Sequence, residues 1–136
     1  MLLDYNKDNL NLVIDIITKN LTPDLLPKKW ITRNQFNPMF GHCHTASGCL
    51  QKVFGTKAIK LYRALDDEGI YHWWAVDDED NIIDITADQY YSTGRNPPIY
   101  QNGKKSSLLG FKYRKNVIEL TDRVAKHLLS TGTPLL

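Results

Sequence analysis

The chain has 136 residues, of which 42% are hydrophobic and 24% charged, and its 17 basic and 15 acidic side chains leave a net charge of +2. This length predicts one domain over residues 1–136 with a single apolar core. The balanced charge argues against a nucleic-acid partner, and no apolar run is long enough to cross a membrane. Two cysteines are too few for a disulfide framework and suit the reducing cytosol, so we expect a cytoplasmic protein.

An amphipathic helix is predicted near the N-terminus, because apolar residues recur there at three- and four-residue steps. The stripe consists of Leu10, Val13, Ile14, Ile17 and Leu21. Asn6 or Asp8 is a suitable cap for it. Residues 22–24, Thr-Pro-Asp, then predict the start of a short helix that Pro27 ends. The asparagines, proline and glycine of residues 31–41 indicate an ordered loop.

Cys43 is expected in the first turn of a buried helix. The helical spacing comes from Ala46, Cys49, Leu50, Val53 and Phe54. Gly55 stands where the helix would end, and Gly41 allows a tight turn into its start. The unpaired N–H groups and the dipole at a helix N-terminus favour a thiolate, which is the nucleophilic form of cysteine. The backbone N–H of Cys43 is also expected to be free to donate to an oxyanion.

Three strands are predicted after this helix, over residues 58–65, 70–76 and 82–86, with acidic turns between them. They form an antiparallel meander. The glycines and prolines of residues 91–110 predict a long irregular segment, and 109–113 is a further strand candidate. A terminal amphipathic helix, with Asn116 as its possible cap, is predicted by Val117, Leu120, Val124, Leu128 and Leu129. The fold class is therefore α+β, with N- and C-terminal helices flanking a small antiparallel sheet.

His72 and Asp84 are expected to meet across two neighbouring strands. With residues 77–81 as the loop, Val76 faces Ile82. His72 is then the diagonal same-face neighbour of Asp84, within reach of two side chains. A carboxylate among isoleucines needs a partner, and an imidazole held by a carboxylate is fixed in one tautomer.

The three residues together predict a catalytic triad. Cys43 is the candidate nucleophile, His72 the general base and Asp84 the group that orients the histidine. The expected reaction is acyl transfer on an amide or ester of a peptide, a protein or a small molecule. Water as the acceptor makes the enzyme a protease, amidase or deamidase, and an amine makes it a transferase like transglutaminase. No cofactor is expected.

Two alternatives compete with this interpretation. His42, Cys43, His44 and Cys49 offer zinc ligands, but adjacent helical residues point in different directions and the spacing of known zinc modules is absent. Only His42 or Cys43 with a partner such as His72 would work. The fold would otherwise serve as a non-catalytic module that binds a peptide or a host protein, with Cys43 simply buried.

Several segments resemble the YunG-like family of small bacterial and phage proteins. They are Gly41-His42-Cys43, Thr45-Ala46, His72-Trp73-Trp74, Asp84-Ile85-Thr86 and Gln89-Tyr90. The resemblance covers roughly residues 30–125, and His42 stands where the family usually has glutamine. The order of cysteine helix, histidine strand and aspartate strand is also similar to the papain/transglutaminase-like core, which implies that fold and the same triad. It places the protein in a bacterium or a phage-infected host cell.

Further site residues follow from the resemblance and from the strands. In papain-like enzymes an amide side chain upstream of the cysteine helps to hold the oxyanion, which makes Asn37 and Gln35 candidates. Trp73 and Trp74 lie on opposite faces of their strand, so one is expected in the core while the other walls the cleft and shields the histidine. Gln89 is expected to line the same cleft or to pack beside it.

Overall fold

A computed structural model describes residues 1–108 and 114–136. It is an α+β fold in which helices pack on a small antiparallel sheet. In chain order the helices and strands are α1 (Lys7–Lys19), α2 (Lys28–Phe36), α3 (Cys43–Phe54), β1 (Ile59–Leu65), β2 (Tyr71–Asp77), β3 (Ile82–Ile83), α4 (Asp88–Tyr91), β4 (Lys104–Ser106) and α5 (Arg114–Ser130). Two short 3-10 turns accompany them, at Pro23–Leu25 and Tyr100–Asn102.

The sheet has the strand order β3-β2-β1-β4 with antiparallel neighbours. Val76 pairs with Ile82, as the length of the loop between β2 and β3 predicted. The strand β3 is shorter than the predicted 82–86, because the chain turns after Ile83 towards α4 and the amide of Ala87 bonds the carbonyl of Asp84. Asp84 therefore follows the strand directly.

The predicted loop at 31–41 is wrong in its first half, because α2 continues to Phe36. The short helix predicted to begin at residues 22–24 and to end by Pro27 is confirmed as the 3-10 turn Pro23–Leu25. Pro27 then precedes α2, and a proline suits such a start because it carries no N–H to satisfy. Asn34 belongs to this helix, and its side-chain amide donates to the carbonyls of Pro38 and Phe40, at 3.0 and 2.9 Å. The asparagine that suggested a loop thus closes the turn after a helix.

Two predictions about the C-terminal part also change. Asn116 does not cap α5, since the helix includes Arg114, and its amide instead donates to the carbonyl of Leu25 at 2.9 Å. The described part of the predicted irregular segment, residues 91–108, is more regular than expected, because β4 pairs with β1. The predicted strand at 109–113 lies outside the described residues.

The core lies between one face of the sheet and the helices α1, α3 and α5. Ten of the twelve residues of α3 are buried, so this helix runs through the centre of the molecule. Asn6 caps α1 by accepting the amide of Asn9 at 2.8 Å, one of the two predicted caps. No helix in the described part of the chain has the length and apolar character that crossing a membrane requires.

Candidate active site

Cys43 is the first residue of α3, where the sequence predicted it. Gly41 reaches this start with φ of +85°, and a Cβ there would lie 2.8 Å from Leu26, so a larger residue does not fit. The first N–H groups of a helix have no partner within it and favour negative charge. The thiol is 9% exposed and lies 3.9 Å from the carbonyl oxygen of Tyr71. It is thus mostly covered and rests against the start of β2.

His72 and Asp84 meet as the strand register predicted. His72 lies in β2 with no exposed surface, and the side chain of Asp84 is 5% exposed. The ring Nε2 and the carboxylate Oδ2 are 2.7 Å apart. Asp84 occupies Nε2, and the sulfur of Cys43, which lies on the carbonyl oxygen of the preceding residue Tyr71, is near enough to the ring to raise its pKa. Three distant stretches of chain therefore converge on one imidazole.

The surroundings of His72 favour its charged form. Burial by itself lowers the pKa of this imidazole, but the hydrogen bonds and charges of Asp84 and Cys43 outweigh burial and raise the pKa to about 9. The ring is then an imidazolium at neutral pH. A cation in this position stabilises a thiolate on the neighbouring sulfur.

Tyr100 completes the group, and the sequence did not point to it. Its hydroxyl donates to Oδ2 of Asp84 at 2.7 Å, the same oxygen that meets His72. Burial, followed by the contact with Asp84, raises the pKa of Tyr100, so the hydroxyl remains a donor. The residue lies in the 3-10 turn before β4, in a segment that carries no helical or strand periodicity. Its position after two prolines gave no signal.

The two tryptophans of β2 lie on opposite faces of the strand, and the structure shows which of them belongs to the core and which covers His72. Trp73 is 3% exposed and belongs to the core, where its ring contacts His44 edge-on at 4.8 Å. Trp74 lies on the opposite face, 6.0 Å from the ring of His72 and 5.1 Å from that of Tyr100. Trp74 thus shields the imidazole from solvent.

The three candidate amide side chains differ in their burial and in their hydrogen-bond partners. Gln89 is buried in α4, and its Nε2 is 3.4 Å from Nδ1 of His72 and 2.9 Å from the hydroxyl of Thr86. The amide of Asn37 is also buried, but it donates to the carbonyl of Gln89 at 2.8 Å. Gln35 lies on an exposed face of α2. The role of Asn37 and Gln35 in holding an oxyanion stays a prediction.

Residues 17–128, most of the chain, match the family described as YunG protein. The chain belongs to the YunG family. Searches of curated proteins and of solved structures found no match. The matched range includes Cys43, His72, Asp84 and Tyr100. The family description names no reaction, so the function of this YunG protein has to be argued from its site.

A cleft of about 250 Å³ opens beside Cys43 in the YunG chain. Its wall includes Gln89 and, of the two tryptophans, Trp73, which also belongs to the core, whereas we expected the tryptophan outside the core to wall the cleft. The other aromatic rings that line it are Trp30, Phe40, Tyr71 and Tyr90. The thiol therefore borders a largely aromatic space that is large enough for part of a substrate.

The residues that suggested a zinc site do not form a ligand cluster in the described part of this YunG protein. The one group of three potential ligands there is Asp66, Asp67 and Glu68, and the guanidinium of Arg95 already pairs with all three. Burial lowers the pKa of His42 and of His44 to about 4, so both rings are neutral. Burial raises the pKa of Cys49 to about 12, which keeps it a thiol.

Proposed function

We propose that this chain is a cysteine-dependent acyl-transfer enzyme with Cys43 as nucleophile, His72 as general acid and base, and Asp84 as the residue that orients the histidine. One observation carries the proposal. The buried imidazole of His72 holds a carboxylate on one nitrogen, at 2.7 Å, and the thiol at the start of α3 lies on the carbonyl of the residue before His72, at 3.9 Å. A histidine cation next to a thiol at a helix N-terminus favours the nucleophilic form of cysteine.

The first half of the reaction breaks the amide bond of a peptide, protein or small amide substrate. The thiolate of Cys43 attacks the carbonyl carbon, and the negative charge moves to the carbonyl oxygen. The N–H of Cys43 at the start of α3 and the amide of Gln89, which lines the same cleft, are the candidate donors to this oxygen. The C–N bond then breaks, and His72 gives its proton to the leaving amine. The products of this step are a free amine and a thioester on Cys43.

The second half releases the acyl group. The neutral imidazole of His72 takes a proton from water, and the water oxygen attacks the thioester. The C–S bond breaks, the carboxylic acid leaves, and the pair of thiolate and imidazolium is restored. An amine in place of water gives a new amide by the same steps. Asp84 and Tyr100 keep the ring in the orientation that both halves require.

We further propose that the core is of the papain/transglutaminase-like type. The support comes from connectivity, because the nucleophile opens a central helix and the next two strands supply first the base and then its carboxylate. The helix α3 packs on β2, the strand that carries the base. This order places all three groups at one end of the helix and one edge of the sheet.

Alkylation by iodoacetamide at pH 6 tests the proposal. An ordinary thiol, whose pKa is about 8.5, is almost entirely protonated at this pH, so we expect Cys43 to react at least about tenfold faster than glutathione. Cys49, buried and with a raised pKa, is the internal control and should stay unmodified in the folded protein. Mass spectrometry of the digested protein reports both sites.

Two variants sharpen this experiment. Cys43→Ala should abolish labelling, and His72→Gln should slow the reaction of Cys43 at pH 6 to the rate of an ordinary thiol, because the neighbouring cation is lost. If Cys43 in the wild-type protein reacts no faster than glutathione, the enzyme proposal is wrong. A non-catalytic binding module would then be the better interpretation of the same cleft.

A further inference from the structure

The cleft beside Cys43 indicates which substrates suit the site, an inference that rests on the proposed function. We infer that the cleft binds a large, uncharged, apolar side chain of the substrate, of the aromatic or branched aliphatic class, next to the carbonyl that is attacked.

The cleft lies next to the reacting groups. Its wall includes Cys43. It also includes Gln89 and Tyr90, which both contact the buried ring of His72. A side chain that fills the cleft therefore belongs to the part of the substrate next to the carbonyl that Cys43 attacks.

Aromatic rings form the walls of the cleft. Phe40 and Trp73 are 5% and 3% exposed, so these two walls are held by the core. The rings of Trp30 and Phe40 pack edge-to-face with centroids 5.1 Å apart. The ring of Tyr71 is 49% exposed and borders the opening. Walls of this kind favour an apolar side chain that leaves water.

The size of the cleft fits one side chain. Its volume is about 250 Å³. An apolar cavity of about 150 Å³ is enough to bind benzene, whereas sites for drug-sized ligands begin at about 300 Å³. A benzyl or isobutyl group therefore fits, and the rest of the substrate has to lie outside.

The two charged side chains of the wall, Asp66 and Lys29, already interact with other groups of the protein. Asp66 accepts the amides of Glu68 and Ile70 on one oxygen, at 2.9 and 3.0 Å, and the hydroxyl of Tyr90 on the other, at 2.9 Å. Its side chain is 4% exposed. Lys29 belongs to an exposed part of α2, with its ammonium 4.7 Å from the ring of Trp30. A charged substrate side chain would thus lose its hydration in the cleft without gaining a committed partner.

Four covalent probes test the inference. They are N-acetyl chloromethyl ketones whose side chain is that of phenylalanine, leucine, glutamate or lysine, and in each the sulfur of Cys43 displaces chloride to form a thioether. The rate of each probe is divided by the rate with iodoacetamide, which has no side chain. We expect the phenylalanine and leucine probes to react about tenfold faster or more than the glutamate and lysine probes, because burial of a large apolar side chain is worth at least that factor.

Wall variants show whether the preference comes from the cleft. Tyr71→Ala removes a half-exposed ring and should lower the preference for the phenylalanine probe. Ile70→Glu places a carboxylate in the wall and should raise the relative rate of the lysine probe. Leu129→Ala is the matched control, since Leu129 is 59% exposed on α5 and does not line the cleft. It should leave all four relative rates unchanged.

The possible results separate the two proposals. Equal normalised rates for the four probes, or a preference for a charged probe, overturn the inference while rapid alkylation of Cys43 still supports the enzyme. A preference that survives unchanged in Tyr71→Ala and Ile70→Glu also overturns it. If iodoacetamide itself reacts with Cys43 no faster than with glutathione, the proposed function fails and the inference fails with it.

Discussion

His72 is the residue on which the proposed chemistry depends. Its ring has no exposed surface, and it contacts the carboxylate of Asp84 and, at 5.0 Å, the edge-on ring of Tyr90. Burial lowers the pKa of the other buried histidines, His42 and His44. The pKa of His72 moves in the opposite direction because Asp84 and Cys43 favour the imidazolium.

The raised pKa of His72 predicts a pH dependence of stability. The pKa is about 9 in the folded protein, against an ordinary value of 6.5. The folded state therefore binds the proton more tightly than the unfolded chain, and the stabilisation is complete below pH 6.5 and is lost as the pH rises through 9. The shift corresponds to a contribution on the order of 3 kcal/mol.

Urea unfolding between pH 6 and pH 10 measures this contribution. The free energy of unfolding of the wild-type protein, minus that of His72→Gln, should fall steadily across the window from 6.5 to 9. Only the slope matters, because the substitution also changes packing at every pH. A difference that stays flat, or rises with pH, would show that His72 is not held as an imidazolium.

The sequence predicted the site residues that lie in or beside regular elements and did not predict Tyr100. Cys43, His72 and Asp84 lie in or directly beside regular elements, where helical spacing and strand alternation tell which side chains share a face. Tyr100 follows an irregular segment whose path no periodicity describes. Its contact with Asp84 depends on where that segment crosses the sheet, which only the folded chain shows.

At the scale of elements, the segment before β4 acts through Trp74. The 3-10 turn brings Tyr100 to Asp84 and brings the backbone of Gly103 against the indole ring. A Cβ at Gly103 would lie 2.3 Å from Cζ2 of Trp74, closer than any normal contact. The same ring lies next to His72, with the ring centroids 6.0 Å apart. Trp74 thus has both the turn and the imidazole as neighbours.

Gly103→Ala is expected to disturb the site by moving the ring of Trp74. The added methyl group has to displace the ring of Trp74, which should lower the free energy of unfolding by about 1–3 kcal/mol. It should also slow alkylation of Cys43 at pH 6, because the imidazole loses its cover. Urea unfolding and the labelling rate measure the two effects.

A variant one residue along the chain serves as the control for Gly103→Ala. Lys104→Ala changes an exposed side chain of β4 and should alter neither the stability nor the labelling rate by a measurable amount. If Gly103→Ala changes the stability and the labelling rate no more than Lys104→Ala does, the position of Trp74 does not control His72.

At the scale of the whole molecule, one core supports the site. The helix α3 carries Cys43, the proposed nucleophile, at its start and lies with its other buried residues against α1, α5 and the sheet. The terminal helices are distant in sequence from the site, yet they cover the helix on which Cys43 depends. The stability of the site should therefore follow the stability of the entire fold.

Leu120→Ala tests this dependence. Leu120 has no exposed surface, and its truncation in the core should cost about 2–5 kcal/mol of unfolding free energy. Leu129→Ala, on the exposed face of the same helix, should cost less than about 0.5 kcal/mol. The labelling rate of the folded fraction should be the same in both variants, since neither residue touches the site. A cost for Leu120→Ala as small as that of Leu129→Ala would show that α5 is not part of the core.

The sequence by itself determined the helix that begins at Cys43, the three consecutive strands, and the pairing of Val76 with Ile82. These features depend on local periodicity and on the length of one turn, both of which are readable from neighbouring residues. Tertiary structure alone decided that α2 occupies part of a predicted loop, that β4 joins the sheet beside β1, and that Tyr100 shares an oxygen of Asp84 with His72. Each of these depends on contacts between residues far apart in the chain, and such contacts leave no repeating pattern in the sequence.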